Sequence, residues 1–191
     1  DAGWEADSAS LRYSKGARPQ RNRNLAIAEW PTASGPADYV LFVGATPVAT
    51  VEAKRHNRHV SAALQQAKRY SRGLDPTPEV VLPEKNWGAQ REFRVPFVFS
   101  SNGRPYLRQL ETKSGIWFCD LRSSDNLARA LDGWYTPEGL SSLLKRDEAA
   151  AHATLEQTSF DDGFARRPYQ QDAIRAAERG IAAGHTAMLL A

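Results

Sequence analysis

The stretch that decides the fold is Gly35-Pro36-Ala37-Asp38-Tyr39-Val40-Leu41-Phe42-Val43-Gly44-Ala45-Thr46-Pro47-Val48-Ala49-Thr50-Val51-Glu52-Ala53-Lys54. Two runs rich in Val, Leu, Phe and Thr, Asp38–Val43 and Pro47–Lys54, flank Gly44-Ala45-Thr46, a three-residue loop of the kind that joins antiparallel strands. A loop centred on Ala45 puts Asp38 opposite Glu52, since the two are equally far from it. Side chains alternate along a strand, so Lys54 shares a face with Glu52. All three polar groups then leave an otherwise apolar hairpin on one side. A slip of one residue would send them to opposite faces.

Two directly opposed carboxylates repel each other. A divalent cation removes that cost. Hard oxygen ligands suit Mg²⁺, which binds through one or two carboxylates plus substrate phosphate. Such a cation can lower the pKa of a water and neutralise charge on a phosphoryl group. A lysine two residues along is placed to hold the attacking water or the developing charge. Taken on spacing alone, the same groups also fit a charged pair on a solvated strand face.

Asp38 followed by Glu52-Ala53-Lys54 resembles the PD-(D/E)XK nuclease signature, with Pro36-Ala37-Asp38 close to its proline-aspartate half. Ala37-Asp38-Tyr39-Val40-Leu41-Phe42 and Val51-Glu52-Ala53-Lys54-Arg55 look like one branch of it, the motor-and-nuclease (R) subunit of type I restriction enzymes. Gln66-Ala67-Lys68-Arg69-Tyr70, fourteen residues after Glu52, resembles the Q-x-x-x-Y motif of that family. Val95–Gly103 and Gly115-Ile116-Trp117-Phe118 are similar to family segments, and Arg167–Ile174 resembles the opening of a superfamily 2 helicase motor. The likeness covers nearly the whole chain.

Family members continue into a phosphate-binding loop, but no G-x-x-x-x-G-K-[ST] occurs in these 191 residues. By itself the chain is therefore expected neither to bind nor to hydrolyse ATP. It starts without Met, and the whole reads as a fragment of a much longer protein.

Composition is ordinary for a globular protein, 41% hydrophobic and 25% charged. A net charge of +3 permits a nucleic-acid partner without arguing for one. The single Cys119 cannot form an internal disulfide, which fits a reducing cytoplasm, and it is expected to be a buried strand residue. No apolar run approaches the roughly 18 residues of a spanning helix, so no membrane partner is expected.

Residues 5–23 spread Arg12, Lys15, Arg18, Arg21 and Arg23 among Ser, Gly and Asn, which reads as loop or partly disordered chain. Those cations either sit in solvent or touch DNA phosphates. Leu25–Trp30 reads as a short strand carrying Glu29, either a further acid near the site or a surface glutamate. Val60–Arg72 has helical periodicity, with Ala63, Gln66, Ala67 and Tyr70 on one face. The linking Arg55-His56-Asn57-Arg58-His59 reads as a basic loop touching phosphate rather than a metal site. Leu74–Asn86 is a surface loop. Strands are expected at Phe93–Ser100, Pro105–Leu110 and Ile116–Leu121, and a short helix or turn at Leu127–Leu131. Helices are expected from Thr136-Pro137, over Asp147–Thr158 and over Pro168–Ala183, then a strand at Thr186–Leu190.

This order implies an α/β fold: a restriction-endonuclease-like mixed sheet flanked by helices, with an antiparallel hairpin, a helical crossover and then a strand able to pair in parallel. The expected domains are 1–145, the nuclease; 146–165, a linker; and 166–191, the start of the helicase motor. The resemblance implies Mg²⁺-dependent hydrolysis of double-stranded DNA. Asp38, Glu52 and the Ala53 carbonyl would ligate the metal, Lys54 would orient water and stabilise charge, and Gln66 and Tyr70 would support the site and contact DNA. It further implies ATP-driven translocation in the full-length protein and partner methylation and specificity subunits. A nuclease of another helicase-linked repair or phage-defence system fits the same residues, as does a DNA-binding module that does not cut.

Overall fold

The computed structural model describes residues 2–108, 111–112, 114–146 and 167–182. The chain divides into two compact units, Asp1–Leu144 and Lys145–Ala191. Strands β1 (Asn24–Trp30), β2 (Ala37–Val43) and β3 (Thr46–Ala53) lead into helix α1 (Leu64–Arg72). Strands β4 (Phe97–Ser101), β5 (Ile116–Asp120) and β6 (Arg129–Leu131) precede α2 (Pro137–Leu144). The second unit contributes α3 (Pro168–Ala182).

One six-stranded sheet runs in sequence order, antiparallel at every step except β3 to β4, which is parallel. The parallel step follows from α1, since a parallel pair needs a long crossover between its strands. Both the hairpin and this crossover are as expected from sequence. The turn is not: Val43 pairs with Thr46, leaving only Gly44-Ala45 between the strands. A bulge between Leu41 and Phe42 restores the expected register, so Leu41 meets Ala49 and Tyr39 meets Val51. Gly44 is required in this turn, because its φ is 59° and a Cβ would stand 2.9 Å from the Arg21 carbonyl oxygen.

Alternation along the strands builds two apolar layers. On one face Leu25, Ile27, Trp30, Val40 and Phe42 pack with Tyr70 of α1, and Val98 and Cys119 pack with Leu64 and Ala67. On the other, Phe97, Phe99 and Phe118 pack with Val48, Val51 and Leu140 of α2. Helix α1 is docked by more than apolar contact: buried Thr50 Oγ1 donates to the Ala67 carbonyl at 2.8 Å. At its far end Gly73 allows a close approach, since a Cβ there would sit 2.9 Å from the Ala33 Cβ.

Several expectations are corrected. Helix α1 begins at Leu64, because Ser61–Ala63 form a turn closed by short-range bonds such as Ala63 N–H to the Val60 carbonyl at 3.0 Å. Strand β4 begins at Phe97 rather than Phe93, whose backbone instead bridges Trp87. Pro105–Arg108 form no strand; Gly103 and Pro105, two residues apart, break the pattern, and Gln109 and Leu110 lie outside the described residues. Leu127–Leu131 is not a helix or turn: Arg129–Leu131 is an edge strand that pairs antiparallel with β5. The helix expected over Asp147–Thr158 and the strand at Thr186–Leu190 lie outside the described residues.

Residues 5–23 are ordered cover for the sheet edge. Glu5 bridges Leu25, Arg12 bridges Ala28, and Tyr13–Lys15 form a 3₁₀ turn. Its cations are largely engaged within the fold: Arg23 pairs with Glu5, Arg12 with Glu29, and Arg18 lies over the Tyr13 ring at 3.9 Å. By itself, α3 opens on Pro168 at its first position, and Gln170 Oε1 accepts the Arg167 N–H at 2.9 Å, half of a capping box.

Candidate active site

The site lies at the carboxyl end of β3, where the chain leaves the parallel pair and turns toward α1. Glu52 is 3% exposed, unusual for a carboxylate. Its Oε1 is ion-paired with Lys54 Nζ, while its Oε2 is buried without a hydrogen-bond partner. Lys54 Nζ also donates to Gln66 Oε1 at 3.0 Å, and Gln66 Nε2 donates to the Tyr70 hydroxyl. Gln66 and Tyr70 can act together because positions four apart lie on one helix face. The helix thus delivers a polar relay, Lys54 to Gln66 to Tyr70, onto the same face as Glu52.

Asp38 approaches from β2. The inner register of the hairpin extends to place it across from Glu52, and its Oδ2 accepts the Ala53 N–H at 2.7 Å. In an extended strand the N–H and C=O of one residue leave the same edge, so the Ala53 carbonyl also lies on the Asp38 side. The five side chains picked out in sequence therefore converge at one end of the sheet.

Burial raises the Glu52 carboxyl above its ordinary range; Lys54 opposes the shift and the Asp38 charge adds to it. Burial likewise pushes Tyr70 up to about 12, with the negative charge of Glu52 contributing, so its phenol stays protonated. One lysine against two carboxylates, one of them buried with an orphaned oxygen, leaves the site short of positive charge. Two carboxylates and a backbone carbonyl are the hard oxygen donors that Mg²⁺ takes, so the residues fit that ion. Among the described residues no group of three or more His, Cys, Asp or Glu gathers into a metal cluster, and His56 and His59 form none.

Glu29 stands apart from this group. It takes a left-handed backbone, φ 55°, and pairs with Arg12 at the surface. The twist sends Trp30, not Glu29, into the core beside Leu25 and Ile27. Sequence reasoning passed over Asn102, whose Nδ2 donates to the Arg58 carbonyl at 3.0 Å and ties the loop after β3 to the loop after β4. The Asn-Gly pair closing an apolar strand was the available signal.

The mixed sheet, its parallel crossover and the flanking helices define an α/β domain of the restriction-endonuclease-like class. Residues 5–144 match the family described as the type I restriction enzyme EcoKI endonuclease subunit second domain, and the chain belongs to that family. It is 40% identical, over 215 aligned residues covering all of this chain, to the type I restriction enzyme EcoKI endonuclease subunit of Escherichia coli (strain K12). The chain spans 18% of that relative's length. No solved structure matches. No described helix is long and apolar enough to cross a membrane.

Proposed function

We propose that this domain hydrolyses phosphodiester bonds of double-stranded DNA as the cutting module of a type I restriction enzyme, with Mg²⁺ held by Asp38, Glu52 and the Ala53 carbonyl. The observation that carries this reading is the buried Glu52, with one oxygen unpartnered, Asp38 beside it and Lys54 on its other oxygen. A bound divalent cation supplies Lewis acidity at the phosphoryl oxygen and makes water a better nucleophile at neutral pH.

The chain's own groups do the remaining work. Lys54, steadied by Gln66, orients the attacking water and offers positive charge where the phosphoryl oxygens become more negative. Tyr70, neutral at working pH, holds the Gln66 amide and thereby the lysine. Water attacks phosphorus and gives up a proton to solvent, the bond from phosphorus to the leaving sugar oxygen breaks, and that oxygen takes up a proton in turn.

In the whole protein, residues 1–145 would form the nuclease, 146–165 a linker and 166–191 the start of an ATP-driven motor, working with methylation and specificity subunits in the cytoplasm. Calorimetric titration of this chain with Mn²⁺ or Mg²⁺ tests the site. One site abolished by Asp38→Ala is expected; equal binding by wild type and variant would overturn the metal assignment.

A further inference from the structure

Beside Lys54 a cavity of about 590 Å³ opens between α1 and the loop that precedes it. Its walls carry Arg58, His59 and Arg69, and none of the residues lining it is acidic. Gln66, which fixes Lys54, lines it too, so this space is continuous with the candidate active site. Ala62, Gln65, Gln66 and Arg69 recur at three- and four-residue spacing and present one face of the helix and its leading turn.

The arginines here differ from several others in the domain. Among the described residues, neither the Arg58 nor the Arg69 guanidinium has an ion pair or a hydrogen bond. By contrast Arg72, one turn along, lies over the Phe93 ring at 4.7 Å, and Arg12 and Arg23 are paired with glutamates. His59 donates its Nδ1–H to the Thr112 carbonyl at 3.1 Å, and its Nε2 becomes a second donor, able to meet an anion, when the ring is protonated. Asn102 holds the Arg58 backbone from the opposite loop, so Arg58 sits on an anchored segment. Small Ala62 and Ala63 leave the room. Cations placed together without counter-ions in a roomy cleft are what a bound anion needs.

We propose that Arg58, Arg69 and His59 form a second anion subsite that grips a DNA phosphate neighbouring the one cut, and so fixes the strand's register over Glu52 and Lys54. This rests on the nuclease reading for which phosphate is cut, but the anion subsite itself does not need metal. It splits the basic loop: Arg58 and His59 serve the cleft, whereas His56 lies by Gly103.

The test is binding of a short fluorescent DNA duplex to this chain, without divalent metal, across a salt series. Arg58→Ala and Arg69→Ala should each weaken binding by about tenfold at low salt and lower the slope of log affinity against log salt by about one. Arg69→Lys should restore most of the slope. Ala62→Tyr, which fills the cleft without removing charge, should weaken binding as well. Arg72→Ala should leave both readings unchanged. Wild-type affinity and slope in Arg58→Ala and Arg69→Ala would overturn the proposal. If metal titration shows no site while the salt slopes shift as described, the nuclease reading fails and the anion subsite survives.

Discussion

The two faces of the central sheet use the same strands for opposite purposes. Toward α2, Phe97, Phe99 and Phe118 stack against Tyr135 and Leu140, with ring centroids 5.0 Å apart for Phe99 and Phe118. Toward α1, the apolar layer of Trp30, Val40 and Phe42 gives way at the end of β3 to Glu52 and Lys54, braced by Gln66 and Tyr70. One face can be filled purely for packing. The other gives up packing where it must hold charge, and the buried Glu52 is the destabilised group that results. Stability and chemistry are separated by the period-two alternation of a strand.

Substitutions that hit one face and spare the other sharpen this contrast. The largest effect should come from Phe99→Ala, which removes a fully buried ring touching Phe118 and Trp134. A loss of about 3–5 kcal/mol is expected by denaturant unfolding. Next is Lys54→Ala, expected to lower DNA cleavage by about a hundred- to a thousandfold in the full-length enzyme while ATP hydrolysis persists. Supercoiled-plasmid cleavage beside an ATPase assay checks it. A matching fall in ATPase would show the lysine to be structural.

Glu52→Gln reverses the usual sign of a core substitution. Because burial raises the Glu52 pKa, the contribution of this group to the stability of the metal-free protein should be greatest while it is protonated in both states, below about pH 4. It should decline as pH rises from there through the raised folded value. Urea midpoints measured across pH should show it as a difference, the wild type losing stability relative to Glu52→Gln as pH rises. Added Mg²⁺ should stabilise the wild type more than the variant at neutral pH. The smallest effect is expected for Tyr70→Phe, about two- to tenfold in cleavage, the value of one hydrogen bond. A phenol with a pKa of about 12 adds no limb to the pH–rate profile below that pH, so wild type and variant should share its shape.

Much of this arrangement was visible in the residues. The hairpin, the crossover helix and the parallel strand follow from apolar runs and their punctuation, and all five candidate side chains meet where the register placed them. What escaped was set by tertiary context. Arg129-Ala130-Leu131 has no strand pattern of its own and is extended because β5 offers a free edge. Residues 5–23 look like solvated loop because their ordering comes from pairing with Leu25 and Ala28. Arg69 drew no notice, since a basic residue on a helix is usually solvated; only the empty cleft around it sets it apart.

The bulge between Leu41 and Phe42 has an evolutionary consequence. It sits between the turn and the carboxylates, and the pairing register differs on its two sides. A residue gained or lost near Ala45 can be absorbed there, whereas in an unbroken hairpin it would turn Asp38 away from Glu52. Homologues are therefore free to vary the length of the turn while the two acids stay face to face.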